Sequence, residues 1–293
     1  MTVRGILYGT GRRRTCVLPK VRHRWHSDYA LDSIFFDLGR LAPHSHPDAT
    51  TRMTGSGTTI ATVPTIEEAY ARISADIRAC ATGCGRAHDT VRLLAVSKTR
   101  SAREIERAYR AGAREFGENY LQDALPKRQA LAHHEAIVWH YIGAVQSNKT
   151  AAIATEFDWV HTVDRSKIAR RLNDARAAVG TPLNICLQVN LHGEAQKAGC
   201  APAELSDLAQ TVIELPNLAL RGLMILPAIH VSPAQAFDAT AALFEELSLS
   251  QASSVPHWDT LSMGMSSDYP AAIAAGSTLV RIGTALFGPR AQK

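Results

Sequence analysis

A single lysine follows a run of apolar, strand-forming residues, and its position suits covalent chemistry. Leu93-Leu94-Ala95-Val96-Ser97 precede Lys98, and a helical pattern begins at Ser101. A lysine at the end of a strand lies at the rim of a sheet, where apolar neighbours cover its stem and its amine faces the following loop. Desolvation there lowers the pKa of an amine from about 10.4, and a neutral amine forms a Schiff base with a carbonyl compound. The alternative is a surface lysine that merely follows a strand.

Strand-like and helical segments alternate along the chain from residue 93 to residue 287. The strand-like segments are 93–97, 114–118, 138–142, 159–163, 183–190, 218–226, 257–263 and 279–287. The helical segments lie near 101–112, 120–132, 147–156, 165–179, 202–215, 233–249 and 268–275, and a leading helix begins at Thr65 with the capping-box partner Glu68. Eight strands separated by helices predict a single (β/α)8 barrel with an extra N-terminal helix. An open, doubly wound sheet is the alternative fold.

Closure of such a barrel would bring the two ends of the alternating region together. Strand eight would pair with strand one, and Arg281 would then lie beside Lys98. Phosphate commonly binds at the loops after strands seven and eight of these barrels. The seventh loop, residues 262–268, offers glycine, serine hydroxyls and the start of a helix, and Gly283-Thr284 follow strand eight. An amine for an aldehyde and a cradle for an anion together predict pyridoxal 5′-phosphate, whereas plain N-capping is the alternative for Ser266-Ser267-Asp268.

Composition excludes several other classes of protein. Of the 293 residues, 46% are hydrophobic and 20% charged, as in ordinary globular proteins. The net charge of +5 arises within residues 1–60, so we expect no nucleic-acid-binding surface on the rest of the chain. No apolar run reaches about 18 residues, so we expect no membrane span. The five cysteines lack metal-type spacing and predict reduced thiols in a cytoplasmic protein.

The first 62 residues differ in pattern from the remainder. They contain an arginine-rich start, a His/Pro stretch at 43–47 and a Gly/Thr/Ser stretch at 54–59, without sustained periodicity. We therefore predict an unstructured extension over 1–62 and a barrel domain over 63–293. A targeting segment, or a translation start at Met53, is the alternative for the extension.

Six motifs, in order along the chain, resemble those of the pyridoxal phosphate homeostasis proteins. They are Ala95–Thr99, Phe116–Tyr120, Trp139–Gly143, Gln146–Lys149, Leu220–Met224, and Leu261–Ser266 taken with Val280–Gly288. This family consists of single barrels similar to the amino-terminal domain of alanine racemase. The resemblance covers about residues 65–289, so it extends over the whole predicted barrel.

The resemblance implies a specific site and role. Lys98 would hold pyridoxal phosphate as an internal aldimine, Arg281 would face the ring nitrogen, and Asn119 would lie near the ring. The residues implied around the phosphate are Ser262, Gly264, Met265, Ser266, Gly283 and Thr284. The implied role is a non-catalytic, monomeric carrier or buffer that supplies pyridoxal phosphate to apoenzymes and affects amino-acid and keto-acid pools. His140, in the third motif, is either a further site residue or a core histidine.

Two enzymatic alternatives use the same lysine. One is a pyridoxal-phosphate-dependent amino-acid racemase or lyase, and the other is an aldolase that traps its substrate on Lys98 without a cofactor. A guanidinium facing the ring nitrogen disfavours protonation of that nitrogen and weakens the ring as an electron sink. The sequence ends four residues after Pro289, so we also expect no counterpart of the β domain that gives alanine racemase its tyrosine base. Both observations favour the carrier.

Overall fold

The computed structural model describes residues 64–289 of the chain, apart from residues 195, 229, 252–254 and 256. The predicted extension over 1–62 and the alternative start at Met53 lie outside the described residues.

Eight parallel strands pair in chain order and close into a barrel. They are Arg92–Val96 (β1), Glu115–Glu118 (β2), Val138–Tyr141 (β3), Trp159–Val163 (β4), Leu183–Val189 (β5), Leu218–Ile225 (β6), Thr260–Met265 (β7) and Leu279–Ile282 (β8). The closing pair is β8 with β1, in which Leu94 lies opposite Arg281. This closure confirms the predicted (β/α)8 barrel and rules out the open sheet.

Helices connect the strands. In the part of the chain that the structure describes they are Ile66–Gly83 (α1), Ala102–Arg110 (α2), Leu121–Ala130 (α3), Thr150–Glu156 (α4), Ser166–Arg176 (α5), Leu205–Ile213 (α6), Pro233–Gln251 (α7), Tyr269–Ala274 (α8) and Thr284–Phe287 (α9). The predicted capping box of the leading helix is confirmed, because Thr65 Oγ1 accepts from Glu68 N at 3.2 Å and Glu68 Oε2 accepts from Thr65 N at 2.8 Å. A short 3₁₀ turn, Pro202–Glu204, precedes α6.

Two strand boundaries near the predicted anion cradle differ from the sequence-based ones. Strand β7 begins at Thr260 and continues to Met265, so Gly264 and Met265 belong to the strand and not to the loop. Strand β8 ends at Ile282, and the rest of the predicted strand 279–287 forms Gly283 and the helix α9. The residues from Leu279 to Phe287 are mostly apolar throughout, and such a run does not distinguish a buried strand from a buried helix.

The barrel encloses an interior that is more polar than its outer face. The larger hydrophobic cluster includes side chains of both strands and helices, and a second cluster consists of Trp159, Cys186 and Met224. Side chains alternate between the two faces of a strand, so His161 shares the inner face of β4 with Trp159. His140 and His161 are both fully buried. Titratable groups therefore occupy positions that branched apolar residues fill in most such barrels.

The composition-based expectations can be compared with the described residues. No helix in this part of the chain is long and apolar enough to cross a membrane. The cysteines among these residues are free thiols, as predicted; they are Cys80, Cys84, Cys186 and Cys200.

A buried ion pair joins the carboxyl ends of β1 and β2. Lys127 Nζ, from α3, donates to both carboxylate oxygens of Glu118 at 2.8 and 2.9 Å and to the carbonyl of Ser97 at 3.0 Å. The Ser97 hydroxyl donates to Glu118 Oε1 at 2.5 Å. Burial raises the pKa of Glu118, and the bonds from Lys127 and Ser97 oppose that shift. Since Lys98 follows Ser97 and Asn119 follows Glu118, this ion pair fixes the backbone next to both predicted site residues.

We expect Lys127→Met to lower the free energy of unfolding by about 3–5 kcal/mol, because it leaves the Glu118 carboxylate buried without its cation. Denaturant unfolding followed by circular dichroism at pH 7 measures the change. Lys167→Met, at an exposed position of α5, is the matched control, and it should alter the free energy of unfolding by less than about 0.5 kcal/mol. Equal stability of the two variants would show that the buried pair does not stabilise the fold.

Candidate functional site

A cavity of about 630 Å³ opens at the carboxyl ends of the strands. Seven of the nine predicted cofactor-binding residues line it: Lys98, Asn119, Met265, Ser266, Arg281, Gly283 and Thr284. Apolar side chains, namely Val96, Ile142, Met224 and Leu226, form much of the remaining wall. Its volume lies within the range of roughly 300–1,000 Å³ that is usual for small-molecule sites. The fold thus brings the amine, the guanidinium and the serine loop to one cavity.

Lys98 is partly buried and lies in a tight turn just after β1. We predicted it at the last position of the strand, but β1 ends at Val96. Arg100 N donates to the Ser97 carbonyl at 3.0 Å and closes the turn around Lys98 and Thr99. Thr99 has φ 65°, which makes it the one non-glycine residue with positive φ in the described part of the chain. A β-branched residue in this left-handed conformation costs about 1–2 kcal/mol, and such strain is concentrated at functional sites.

Arg281 is buried beneath the cavity and is held by neutral oxygens. Its Nη1 donates to the carbonyl and hydroxyl oxygens of Ser262 at 2.7 and 2.9 Å, and its Nη2 donates to the Ile225 carbonyl at 2.8 Å. As predicted from the closure of β8 onto β1, Arg281 and Lys98 line the same cavity, although the strand register places Arg281 opposite Leu94 and not opposite Lys98. Burial lowers the pKa of Arg281 to about 10, so the guanidinium stays charged at neutral pH.

Asn119 contributes a buried acceptor to the cavity wall. Its Oδ1 is shielded from solvent and has no hydrogen-bond partner among the described residues. A buried acceptor left unsatisfied costs about 1–3 kcal/mol. Asn119 also lines a smaller neighbouring cavity of about 260 Å³. The position therefore suits a ligand that carries a hydrogen-bond donor.

The loop after β7 is held by hydrogen bonds within the loop and to α9. Asp268 occupies the N-cap position of α8, but its carboxylate accepts from Met265 N at 2.6 Å and makes no cap bond to the helix. Ser266 Oγ accepts from Ala285 N at 3.3 Å, which links this loop to α9. Neither Ser266 nor Ser267 is the N-cap residue of α8, so the N-capping alternative does not account for them.

Ser262 and Gly264 lie in β7 and are not among the residues that line the cavity. Ser262 is fully buried, and its Oγ lies 3.0 Å from His161 Nδ1 as well as against Arg281. Gly264 has φ 93°, and a Cβ built there would approach the Ala272 Cβ to 2.6 Å. Glycine is therefore required for β7 and α8 to pack closely.

No sequence motif singles out His161, and the sequence leaves the role of His140 open. His140 is a fully buried core histidine that stacks on Trp159 with ring centroids 5.3 Å apart. Its Nδ1 lies 2.9 Å from His161 Nε2. Burial lowers the pKa of both histidines well below 6.5, so both rings are neutral at pH 7. The sequence signal that could have identified this pair is a histidine in each of the neighbouring strands β3 and β4, close to Trp139 and Trp159.

Comparison with known proteins places the chain in a family. The model of the family described as "Alanine racemase, N-terminal domain" matches residues 70–291. The pyridoxal phosphate homeostasis protein of Pseudomonas aeruginosa is 54% identical over 229 residues, which cover 77% of this chain and 96% of that one. The protein of the same name from Escherichia coli K12 is 48% identical over 228 residues, which cover 75% and 94% of the two chains.

Solved structures agree with the sequence matches. The structure of PipY from Synechococcus elongatus, with pyridoxal phosphate bound, is 36% identical in sequence and has a TM-score of 0.68. The match covers 76% of this chain and 100% of PipY. An alanine racemase from Streptomyces coelicolor, 20% identical with a TM-score of 0.55, shares the fold. The family model covers most of the chain, and the relatives match it over nearly their whole length. This chain therefore belongs to the alanine racemase N-terminal domain family and, within it, to the pyridoxal phosphate homeostasis proteins.

Proposed function

We propose that this protein binds pyridoxal phosphate in the 630 Å³ cavity and acts in the cytoplasm as a non-catalytic carrier or buffer of the cofactor. The observation that carries the proposal is that Lys98, Arg281 and Ser266 line one cavity. The names of the relatives, and the PipY structure with pyridoxal phosphate bound, support it. Through the enzymes that depend on this cofactor, the protein would affect amino-acid and keto-acid pools.

The residues of the cavity match the functional groups of the ligand. Bound pyridoxal phosphate supplies an electrophilic aldehyde on an electron-withdrawing ring. Lys98 offers a primary amine for the aldehyde, and the condensation forms one C=N bond and releases one water. Ser266 and Thr284 offer hydroxyls beside Gly283, where a phosphate could approach the backbone. Asn119 Oδ1 offers the unsatisfied acceptor.

Arg281 favours storage of the cofactor over amino-acid chemistry. Its pKa of about 10 keeps the guanidinium protonated, and a protonated guanidinium can only donate hydrogen bonds. A ring nitrogen facing it accepts a hydrogen bond and is disfavoured from taking a proton. An unprotonated pyridine is the weaker electron sink, so the carrier is better supported than a racemase or lyase.

We predict that Lys98 is the residue that holds the cofactor covalently. Borohydride reduction of the protein incubated with pyridoxal phosphate, followed by intact mass spectrometry, should add one reduced cofactor to the wild type and none to Lys98→Ala. Lys167→Ala, at an exposed position of α5, is the control and should be labelled like the wild type. Labelling would also exclude the cofactor-free aldolase. An unlabelled wild type would refute the proposed function, and a labelled Lys98→Ala would move the covalent site elsewhere.

For Ser266→Asp we predict that pyridoxal phosphate is retained at least about tenfold less tightly, because a carboxylate in the cavity repels the phosphate. Equilibrium dialysis, with the cofactor quantified by absorbance, measures the dissociation constant. Ser206→Asp adds the same charge at an exposed position of α6 and should leave the constant unchanged. Similar constants for both variants would place the phosphate away from residue 266.

The carrier and the enzyme predict different behaviour toward amino acids. In deuterated water, the loaded protein mixed with single amino acids should show no sustained exchange of the α-proton by NMR, because a ring nitrogen that faces Arg281 would stay unprotonated and leave the ring a weaker electron sink. An alanine racemase under the same conditions is the positive control. Sustained exchange by this protein, abolished in Lys98→Ala, would contradict the carrier and establish the racemase or lyase.

A further inference from the structure

A chain of buried polar side chains crosses the interior of the barrel from Arg281 to Glu115. Successive members lie on the neighbouring or facing strands β8, β7, β4, β3 and β2. The joined atoms are Arg281 Nη1 and Ser262 Oγ at 2.9 Å, Ser262 Oγ and His161 Nδ1 at 3.0 Å, His161 Nε2 and His140 Nδ1 at 2.9 Å, and His140 Nε2 and Glu115 Oε2 at 3.5 Å. The last separation exceeds a normal hydrogen bond, and His140 Nε2 has no hydrogen-bond partner among the described residues, so this contact is the weakest of the four.

This chain of polar side chains connects the two mouths of the barrel. Arg281 lines the cavity at the carboxyl ends of the strands, whereas Glu115 is the first residue of β2 at the opposite end. Glu115 forms an ion pair of 3.3 Å with Arg92, the first residue of β1, and 18% of its side chain is exposed. The three members between the ends are fully buried, so water cannot replace a bond that is lost there.

The supply of protons limits how these groups can be paired. A guanidinium only donates, and a carboxylate beside a cation accepts. Each neutral imidazole carries one proton, so it donates from one nitrogen and accepts at the other. A continuous chain from Arg281 to an ionised Glu115 therefore requires the Ser262 hydroxyl to donate to His161 Nδ1, His161 Nε2–H to donate to His140 Nδ1, and His140 Nε2–H to point at Glu115. The reverse order requires a protonated Glu115 next to Arg92.

We propose that His161 and His140 are positioning residues that hold Arg281 in the cavity wall through Ser262, with both imidazoles protonated at Nε2. The inference rests on the proposed function in that Arg281 is taken to face the bound cofactor. It also assigns Ser262 a different role from the one the family resemblance implies. Its hydroxyl proton is committed to His161, so Ser262 acts on the ligand through Arg281 and not by donating to the phosphate.

The direction of the chain strengthens the hold on Arg281. A hydroxyl that donates a hydrogen bond becomes a better acceptor, because neighbouring bonds polarise one another. The bond from Ser262 to His161 therefore strengthens the bond that Arg281 Nη1 makes to the same hydroxyl. Without an acceptor at position 161 the Ser262 hydroxyl can rotate away from residue 161. Arg281 Nη1 then loses the hydroxyl orientation in which the Ser262 oxygen is the better acceptor.

The tautomers can be tested without any ligand. Nitrogen-15 NMR of the full chain at pH 7, with His161→Asn and His140→Asn used to assign the two signals, distinguishes Nδ1–H, Nε2–H and cationic imidazole. Two neutral Nε2–H rings are expected. An Nδ1–H tautomer or a cationic ring at either position would overturn the proposed chain, whether or not the protein binds pyridoxal phosphate.

The positioning role is tested by three substitutions that retain different parts of His161. The carbonyl of Asn lies near the place of Nδ1 and can still accept from Ser262; the amide of Gln lies near the place of Nε2 and can still donate to His140; Leu does neither. For His161→Asn we expect a dissociation constant for pyridoxal phosphate within about twofold of the wild type, and an unchanged visible absorption band. For His161→Gln and His161→Leu we expect about tenfold weaker binding and a shifted band.

If the Leu variant fails to fold, the difference in affinity and absorption between the Asn and Gln variants still tests the proposal. Wild-type spectra and affinity in both Gln and Asn variants would overturn the proposal, and so would equal losses in both, which indicate a merely structural role. A wild-type protein that binds no pyridoxal phosphate would refute the proposed function instead, and the ligand-free NMR result would still decide the direction of the chain.

Discussion

The pairing of β8 with β1 is the contact on which the candidate site depends. Lys98 and Arg281 belong to opposite ends of the barrel sequence, and they share a cavity only because Leu94 lies opposite Arg281 in the closing pair. An open sheet built from the same elements would leave β1 and β8 far apart. Arg100 adds to the closure, since its guanidinium donates to the carbonyls of Gly288 and Pro289 beyond α9. The candidate site therefore exists only when the barrel is closed.

The interior of the barrel is built around a buried cation, at a cost to stability. Barrels of this kind are usually filled with layers of branched apolar side chains, whereas here Arg281, Ser262, His161 and His140 occupy part of that space. Burying a charge is expensive unless hydrogen bonds compensate, and the three oxygens around the Arg281 guanidinium supply that compensation. These polar groups therefore support the cavity above them and do not extend the apolar core.

Sequence patterns predicted the elements well and the contacts between them poorly. Eight segments of strand-like residues between helices were sufficient for the barrel, and the Thr65 capping box was visible because its partners are three residues apart. The predicted end of β8 was wrong because the residues up to Phe287 are mostly apolar, and a buried apolar run does not distinguish a strand from a helix. The buried pair of Glu118 and Lys127 was missed because it joins a strand to the next helix, and no periodicity reveals that contact.

Motif resemblance has a different limit, which Ser262 illustrates. A motif identifies residues that accompany a ligand, but it does not separate a side chain that touches the ligand from one that holds another in place. Ser262 and Ser266 belong to one motif, yet Ser266 lines the cavity and Ser262 is bonded to Arg281 beneath it. The two serines differ because Ser262 lies inside β7, whereas Ser266 lies in the loop that follows the end of the strand at Met265.

The site combines rigid and strained parts in a way that suits a carrier. Arg281 lies in a strand, and its guanidinium is fixed by three hydrogen bonds to Ser262 and Ile225. Asn119 follows the end of β2, which the Glu118–Lys127 ion pair holds in place. Lys98, by contrast, lies outside its strand in a turn that requires Thr99 at φ 65°. A carrier must recognise the ring and phosphate firmly but form and break its covalent bond reversibly. In the proposed carrier, recognition groups on rigid elements and the Lys98 amine on a strained turn would separate these two requirements physically.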